Sequence, residues 1–142
     1  IGYCHRKRLI HRDLKLENIL LVSKNSDTIK VVDFGIAGLS STLKIDVEAG
    51  SLKYMPPEVL SRSSKSINPA IDIWALGVIL FVMVCGQLPF NGSNNREIIR
   101  RICNGEFQFP TDLETEISAE VKDLIKKILV VDPSKRYTLT NI

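Results

Sequence analysis

A chain of 142 residues, 44% hydrophobic and 25% charged, with 8 Gly and 6 Pro, lies outside the disordered, collagen-like and disulfide-scaffold classes. It is long enough for one domain, or one lobe of a larger one, around a real core. A net charge of +3, with no Lys/Arg run longer than Arg6-Lys7-Arg8, is too mild to argue for a nucleic-acid partner.

Residues 1–8 are basic and suit the C-terminal end of a helix, where cations are favoured. Leu9-Ile10 steps into His11-Arg12-Asp13. Ile19–Val22 and Thr28–Val32 are β-rich, and Ser23-Lys24-Asn25-Ser26-Asp27 between them is turn chemistry, so the pair predicts a β-hairpin. From Gly35 to Met55 neither helical nor strand periodicity persists, which marks a long functional loop.

Pro57–Leu60 opens a short helix. Pro69 leads an apolar helix over 70–85, with Gly86 as its C-cap. Its apolar run, Ile73–Cys85, falls short of the ~20 residues that span a bilayer, so it is expected to be a buried core helix and no membrane partner is expected. A further helix should place Ile98, Ile99 and Ile102 on one face. Ser118 should cap another, with Val121, Leu124, Ile125, Ile128 and Leu129 inward and a stop at Asp132-Pro133. A new helical start is expected at Thr138. The chain begins at Ile1 and ends shortly after that start, so a fragment of a longer protein is expected.

Cys4, Cys85 and Cys103 are widely spaced and form no CxxC pair, which suggests neither a zinc site nor a disulfide framework. They fit a reducing compartment, the cytoplasm first and the nucleus as the alternative. His5 is expected to be an ordinary surface or helix-end residue. Arg100-Arg101 and Lys126-Lys127 are expected on solvated faces.

The chemistry lies in an ordered set of motifs. His11-Arg12-Asp13-Leu14-Lys15-Leu16-Glu17-Asn18 comes first, then Asp33-Phe34-Gly35, Pro56-Pro57-Glu58, Asp72-Ile73-Trp74-Ala75-Leu76-Gly77 and, much later, Arg136. The hairpin folds Asp13, Asn18 and Asp33 back toward one another. Two oxygen ligands near one point suit Mg²⁺, which takes one or two carboxylates plus phosphate oxygens. A third carboxylate can orient a hydroxyl, and a lysine two residues on can neutralise phosphate charge. Together these are the parts of phosphoryl transfer.

This set resembles the eukaryotic protein kinase family, and Lys15 marks the serine/threonine type. The resemblance covers the whole chain. It implies a mainly α, kinase-like fold: the helical C-terminal lobe with a short β-hairpin, the N-terminal β lobe missing. Residues 1–142 would be a partial kinase domain running from the catalytic loop to the start of the last helix. ATP and Mg²⁺ are the implied cofactors. Asp13 would be the catalytic base and Lys15 would stabilise the γ-phosphate. Asn18 and Asp33 would hold Mg²⁺, and Leu20 would floor the adenine with support from Ile79 and Met83. Lys15, Glu17, Asn18, Leu20 and Asp33 form the implied cofactor-binding set. Glu17 would also read a basic residue in the protein substrate.

The resemblance further implies that Asp72 holds the backbone of His11 and Arg12, that His11 stacks on Phe34, that Glu58 pairs with Arg136, and that Ser51 sits near Asp13 and Lys15. Gly86-Gln87-Leu88-Pro89-Phe90 and Gly105-Glu106-Phe107-Gln108-Phe109-Pro110 resemble the calcium/calmodulin-dependent and AMP-activated group. Pro56 and Leu16 depart from the usual Ala and Pro. Val47 stands where the phosphorylated loop threonine usually falls, and Asp46 or Glu48 would supply a fixed charge to Arg12 instead. The expected activity is phosphorylation of serine or threonine in proteins by the parent enzyme, the fragment alone being inactive. The alternative is a pseudokinase or scaffolding module.

Overall fold

The computed structural model describes residues 1–34, 37, 51–61, 68–113 and 116–142. Val47, Asp46 and Glu48, and with them the expected fixed loop charge, lie outside the described residues. Among the described residues five helices carry the fold: α1 (Gly2–Arg6), α2 (Pro57–Leu60), α3 (Ala70–Cys85), α4 (Asn95–Asn104) and α5 (Ala119–Ile128). Short 3₁₀ turns stand at Leu16–Asn18, Ser51–Tyr54 and Thr111–Leu113. Strands β1 (Ile19–Leu21) and β2 (Ile29–Val31) pair antiparallel, with Ile19 opposite Val31 and Leu21 opposite Ile29. This is the helical architecture with one hairpin that the sequence predicts.

α3 is the central element because it is apolar on every side, and such a helix is stable only when surrounded. Trp74 and Val78 are completely buried, and Phe81 nearly so. Around it gather Phe90, Ile98, Ile102, Ile125 and Leu129. Trp74 stacks on Phe90 at 5.5 Å between ring centroids, and Phe81 packs on Phe109 at 5.3 Å. A second cluster of Leu14, Ala75 and Ile79 backs the hairpin through Ile19 and Val31. α5 lies hard against α3 at Gly77. A Cβ there would fall 2.4 Å from Ile128 Cγ2 and 2.9 Å from Leu129 Cδ2, so only glycine allows this approach. Among the described residues no helix is long and apolar enough to cross a membrane.

The helix ends follow from capping chemistry. Gly86 and Gly105 close α3 and α4 at φ 67° and 66°, the left-handed conformation that costs glycine least. Asn94 Oδ1 accepts from the Glu97 amide at 3.0 Å, and Glu97 Oε2 accepts from both Ser93 N and Ser93 Oγ at 2.9 Å. Ser118 caps α5 through the Val121 amide. α5 ends at Ile128, earlier than Asp132-Pro133 suggests, because the segment after it bends to expose carbonyls to Arg136. Beyond Thr138 there is a turn rather than a helix. Asn141 Oδ1 accepts from Thr138 N and Oγ1 at 2.9 and 2.8 Å, which is the capping geometry of a helix start.

Candidate active site

The loop from Ile10 to Asn18 is anchored from below. Asp72, 1% exposed in the first turn of α3, spends both carboxylate oxygens on it. Oδ2 accepts from His11 N and Oδ1 from Arg12 N, both at 2.9 Å. Arg12 sits at φ 72°, a conformation that costs a non-glycine residue about 1–3 kcal/mol. The two bonds to a buried carboxylate over-determine that backbone and hold it.

His11 is fully buried and makes the next link. Its Nε2 lies 3.0 Å from the Val32 carbonyl, and its Nδ1 lies 3.3 Å from the Asp13 amide. A carbonyl can only accept and an amide can only donate, so the ring is the neutral Nε2–H tautomer. His11 thereby ties β2's exit to Asp13's backbone. Phe34 rests on it, ring centroids 4.5 Å apart and tilted by 55°.

Asp13, Lys15, Asn18 and Ser51 converge. Lys15 Nζ lies 2.9 Å from Asp13 Oδ2 and donates to Ser51 Oγ at 3.1 Å. Asn18 Nδ2 donates to the Asp13 carbonyl at 2.8 Å and to Oδ2 at 3.3 Å. Burial pushes the Asp13 carboxyl up, but the hydrogen bonds of Lys15, Ser51 and Asn18 and the Lys15 charge outweigh it and hold the group below its ordinary value. Asp13 is therefore an anion at neutral pH, held at a fixed angle.

Asn18 is buried at the end of its 3₁₀ turn, and both of its side-chain bonds use Nδ2, which leaves Oδ1 for a ligand. Val32 N donates to Asn18 O at 2.9 Å, so Asp33 leaves the hairpin one residue past Asn18's partner. Asp33 is exposed at φ 61°, a left-handed conformation Asp tolerates better than most residues. Among the described residues no three His, Cys, Asp or Glu side chains converge on a metal. A donor set of one amide oxygen and one carboxylate fits a phosphate-bound Mg²⁺, which brings its other oxygens with it, rather than a caged ion.

Other expected residues are placed less centrally. Leu20 is 48% exposed because strand alternation turns Ile19 inward and Leu20 out. Ile79 is buried under Leu14, whereas Met83 is 72% exposed at the outer end of α3. Glu17 is exposed at the rim. Glu58 and Arg136 form a bidentate buried pair, Nη1 to Oε1 at 2.9 Å and Nη2 to Oε2 at 3.0 Å. Arg136 Nη1 also donates to the Ala70 carbonyl, and its guanidinium lies 4.9 Å from the Trp74 ring.

His5 stands in the last turn of α1, the helix-end place expected of it, but it is not an ordinary residue there: its Nε2 lies 2.7 Å from Asp72 Oδ2, with only 11% of its side chain exposed. Nothing local in the sequence marks it, since its partner is 67 residues away.

The geometry thus sets an anchored acidic loop beside a hairpin with oxygen donors at its mouth. The family model of the protein kinase domain matches residues 1–142, and the chain belongs to that family. It is 42% identical to the probable serine/threonine-protein kinase fhkE of Dictyostelium discoideum, over 99% of this chain and 20% of that protein. It is 43% identical to the CBL-interacting protein kinase 11 of Oryza sativa, over 100% of this chain and 28% of that one. Myosin light chain kinase A of Dictyostelium discoideum is 40% identical, over 99% of this chain and 48% of its own length. The chain thus spans less than half of each of these relatives.

Proposed function

We propose that the protein containing this chain transfers the γ-phosphoryl group of ATP to serine or threonine hydroxyls of protein substrates, with residues 1–142 as the lobe that holds the hydroxyl and the metal. The observation that carries this reading is the convergence of Lys15 Nζ on both Asp13 Oδ2, at 2.9 Å, and Ser51 Oγ, at 3.1 Å.

In this reading Asp13 accepts the hydrogen bond of the substrate hydroxyl and points its oxygen at phosphorus. An aspartate is a weak base, but a loose transition state asks for little nucleophilic push, so orientation is the larger part of its work. Lys15 stays within reach of Asp13 and offsets negative charge on the transferred group. Asn18 Oδ1 and the Asp33 carboxylate would hold Mg²⁺, which supplies charge neutralisation at the phosphates when bound. Leu20 offers an apolar surface to the adenine, and exposed Glu17 selects a basic residue in the substrate. The reduced thiols fit a cytoplasmic or nuclear setting.

The test is made in the full protein with Mg-ATP and serine-containing peptides that carry arginine. Asp13→Asn should lower kcat by about 10²- to 10⁴-fold, the usual range for a positioned acid–base group. Asp33→Asn should lower turnover comparably, with circular dichroism showing both variants folded. Undiminished turnover in either variant overturns the role assigned to that residue.

A further inference from the structure

The chain contains two Asn-Gly pairs, Asn91-Gly92 and Asn104-Gly105, and the structure treats them in opposite ways. Asn91 and Gly92 lie in irregular, exposed backbone between α3 and α4. Among the described residues the Gly92 amide has no hydrogen-bond partner. The Asn91 side chain is restrained only by one exposed bond, Nδ2 to the Leu88 carbonyl at 2.9 Å. Such a bond contributes little against solvent. Asn104 is the last residue of α4, in helical conformation. The amide of Gly105 donates to the Arg101 and Ile102 carbonyls as the helix cap, and Asn104 Nδ2 donates to Glu106 Oε1 at 2.8 Å.

We propose that Asn91 is a site of spontaneous modification by deamidation, and that Asn104 is protected from it by the cap of α4. Glycine has no Cβ to obstruct the approach of its own nitrogen to the preceding side chain. The Gly92 nitrogen loses its proton to solvent and bonds to Asn91 Cγ. The Cγ–Nδ2 bond breaks, Nδ2 takes up one proton from water, and ammonia leaves. A five-membered succinimide remains. Water then adds at either ring carbonyl and opens it, giving aspartate or isoaspartate. Nothing is oxidised or reduced, and water is the only co-reactant. At Gly105 the same attack requires the cap to open first, since its N–H points at two carbonyls of the last turn.

The product changes the local charge. Asn91 lines a groove of about 640 Å³ with Arg100, Arg101 and Glu106, so deamidation adds a carboxylate to a groove that already holds charges of both signs. The aspartyl form keeps the chain length and leaves the α4 cap intact. The isoaspartyl form inserts an extra backbone carbon two residues before Ser93, whose N and Oγ both bond Glu97.

The test is peptide mapping by mass spectrometry of the folded chain, aged at 37 °C and pH 8, with a parallel sample in denaturant. The NH2-to-OH mass change is expected at Asn91 at least about tenfold faster than at Asn104 in the folded sample, because cap opening limits Asn104. In denaturant the two sites should react at similar rates. An Asn91→Gln variant should lose the signal at 91, since glutamine would need a larger ring. No mass change at 91 in the folded chain, or equal rates at 91 and 104 while circular dichroism shows it folded, overturns the proposal.

Discussion

Arg136 shows how much one side chain can settle. Its guanidinium meets Glu58 in a two-pronged pair, with side-chain exposures of 0% and 5%. It also reaches the Ala70 and Val130 carbonyls and covers Trp74. One residue thus fastens α2, the start of α3 and the segment after α5. A buried pair adds little over a well-packed apolar one, but removing one partner leaves the other charge stranded, at about 3–5 kcal/mol. Arg136→Ala should therefore lower the melting temperature by roughly 10 °C or more. Thermal unfolding followed by circular dichroism checks this, and unchanged melting refutes it. Asp13 carries a different expectation. Its folded-state carboxyl is held below the ordinary value, so its contribution to stability is complete above that value and disappears as pH falls through the depressed one. Asp13 accordingly contributes no pH dependence of stability between pH 5 and 8.

At the scale of elements, the N-terminus of α4 is a capping arrangement with a measurable titration. The Ser93 amide and hydroxyl, with Arg101, bring the Glu97 carboxyl down to about 2. Its folded value is depressed, so its contribution is fully present above the ordinary 4.5 and is lost as pH falls toward 2. A carboxyl-carbon NMR titration should place Glu97 well below the exposed glutamates; a midpoint near 4.5 would mean that the cap does not form in solution. Glu97→Gln should flatten the stability slope across that interval. The α3–α5 contact makes a second expectation. Gly77→Ala forces a methyl group against Ile128 and Leu129 and should destabilise by about 1–3 kcal/mol. Ile128→Ala removes Cγ2, the nearest atom to the new carbon, so the double variant should be less destabilised than the sum of the two single variants, and chemical denaturation of the three reads it.

These elements also show what sequence alone can reveal. α3 was legible because Pro69, the apolar run and Gly86 are contiguous signals. The hairpin was legible because turn residues separate two β-rich runs. The site was legible for the same reason, since Asp13, Lys15 and Asn18 lie within one short stretch. His5 was not legible, because its role depends on a carboxylate 67 residues away. The end of α5 was misplaced by a proline signal, because the carbonyls that Arg136 requires override it. Met83 has the composition of a buried residue, but the geometry of α3 leaves it 72% exposed.

For the molecule as a whole, the distribution of apolar surface is uneven. The core is closed around α3, yet Leu20, Leu21, Val22 and Ile29 are each about half exposed, and Phe34 is 41% exposed beside them. Ile19 and Val31 pack on the Leu14 cluster; Leu20 and Val22 alternate to the opposite face, whereas Leu21 and Ile29 share the Ile19–Val31 face but are not part of that cluster and stay exposed. Among the described residues the hairpin is a two-stranded sheet with no third strand on either edge. Exposed apolar side chains on a strand pair with open edges are a template for association. The 142-residue polypeptide on its own should therefore self-associate through this hairpin and bind an apolar dye. Leu21 and Ile29 face each other across the strands at 59% and 55% exposure, so replacing them sacrifices little packing. Leu21→Lys with Ile29→Thr should shift the isolated chain toward monomer in light scattering and lower dye binding, with melting changed by no more than a surface substitution changes it. Persistent association in the double variant would place the self-association surface elsewhere on the molecule. Loss of folding would mean that Leu21 and Ile29 carry stability that their exposure does not reveal.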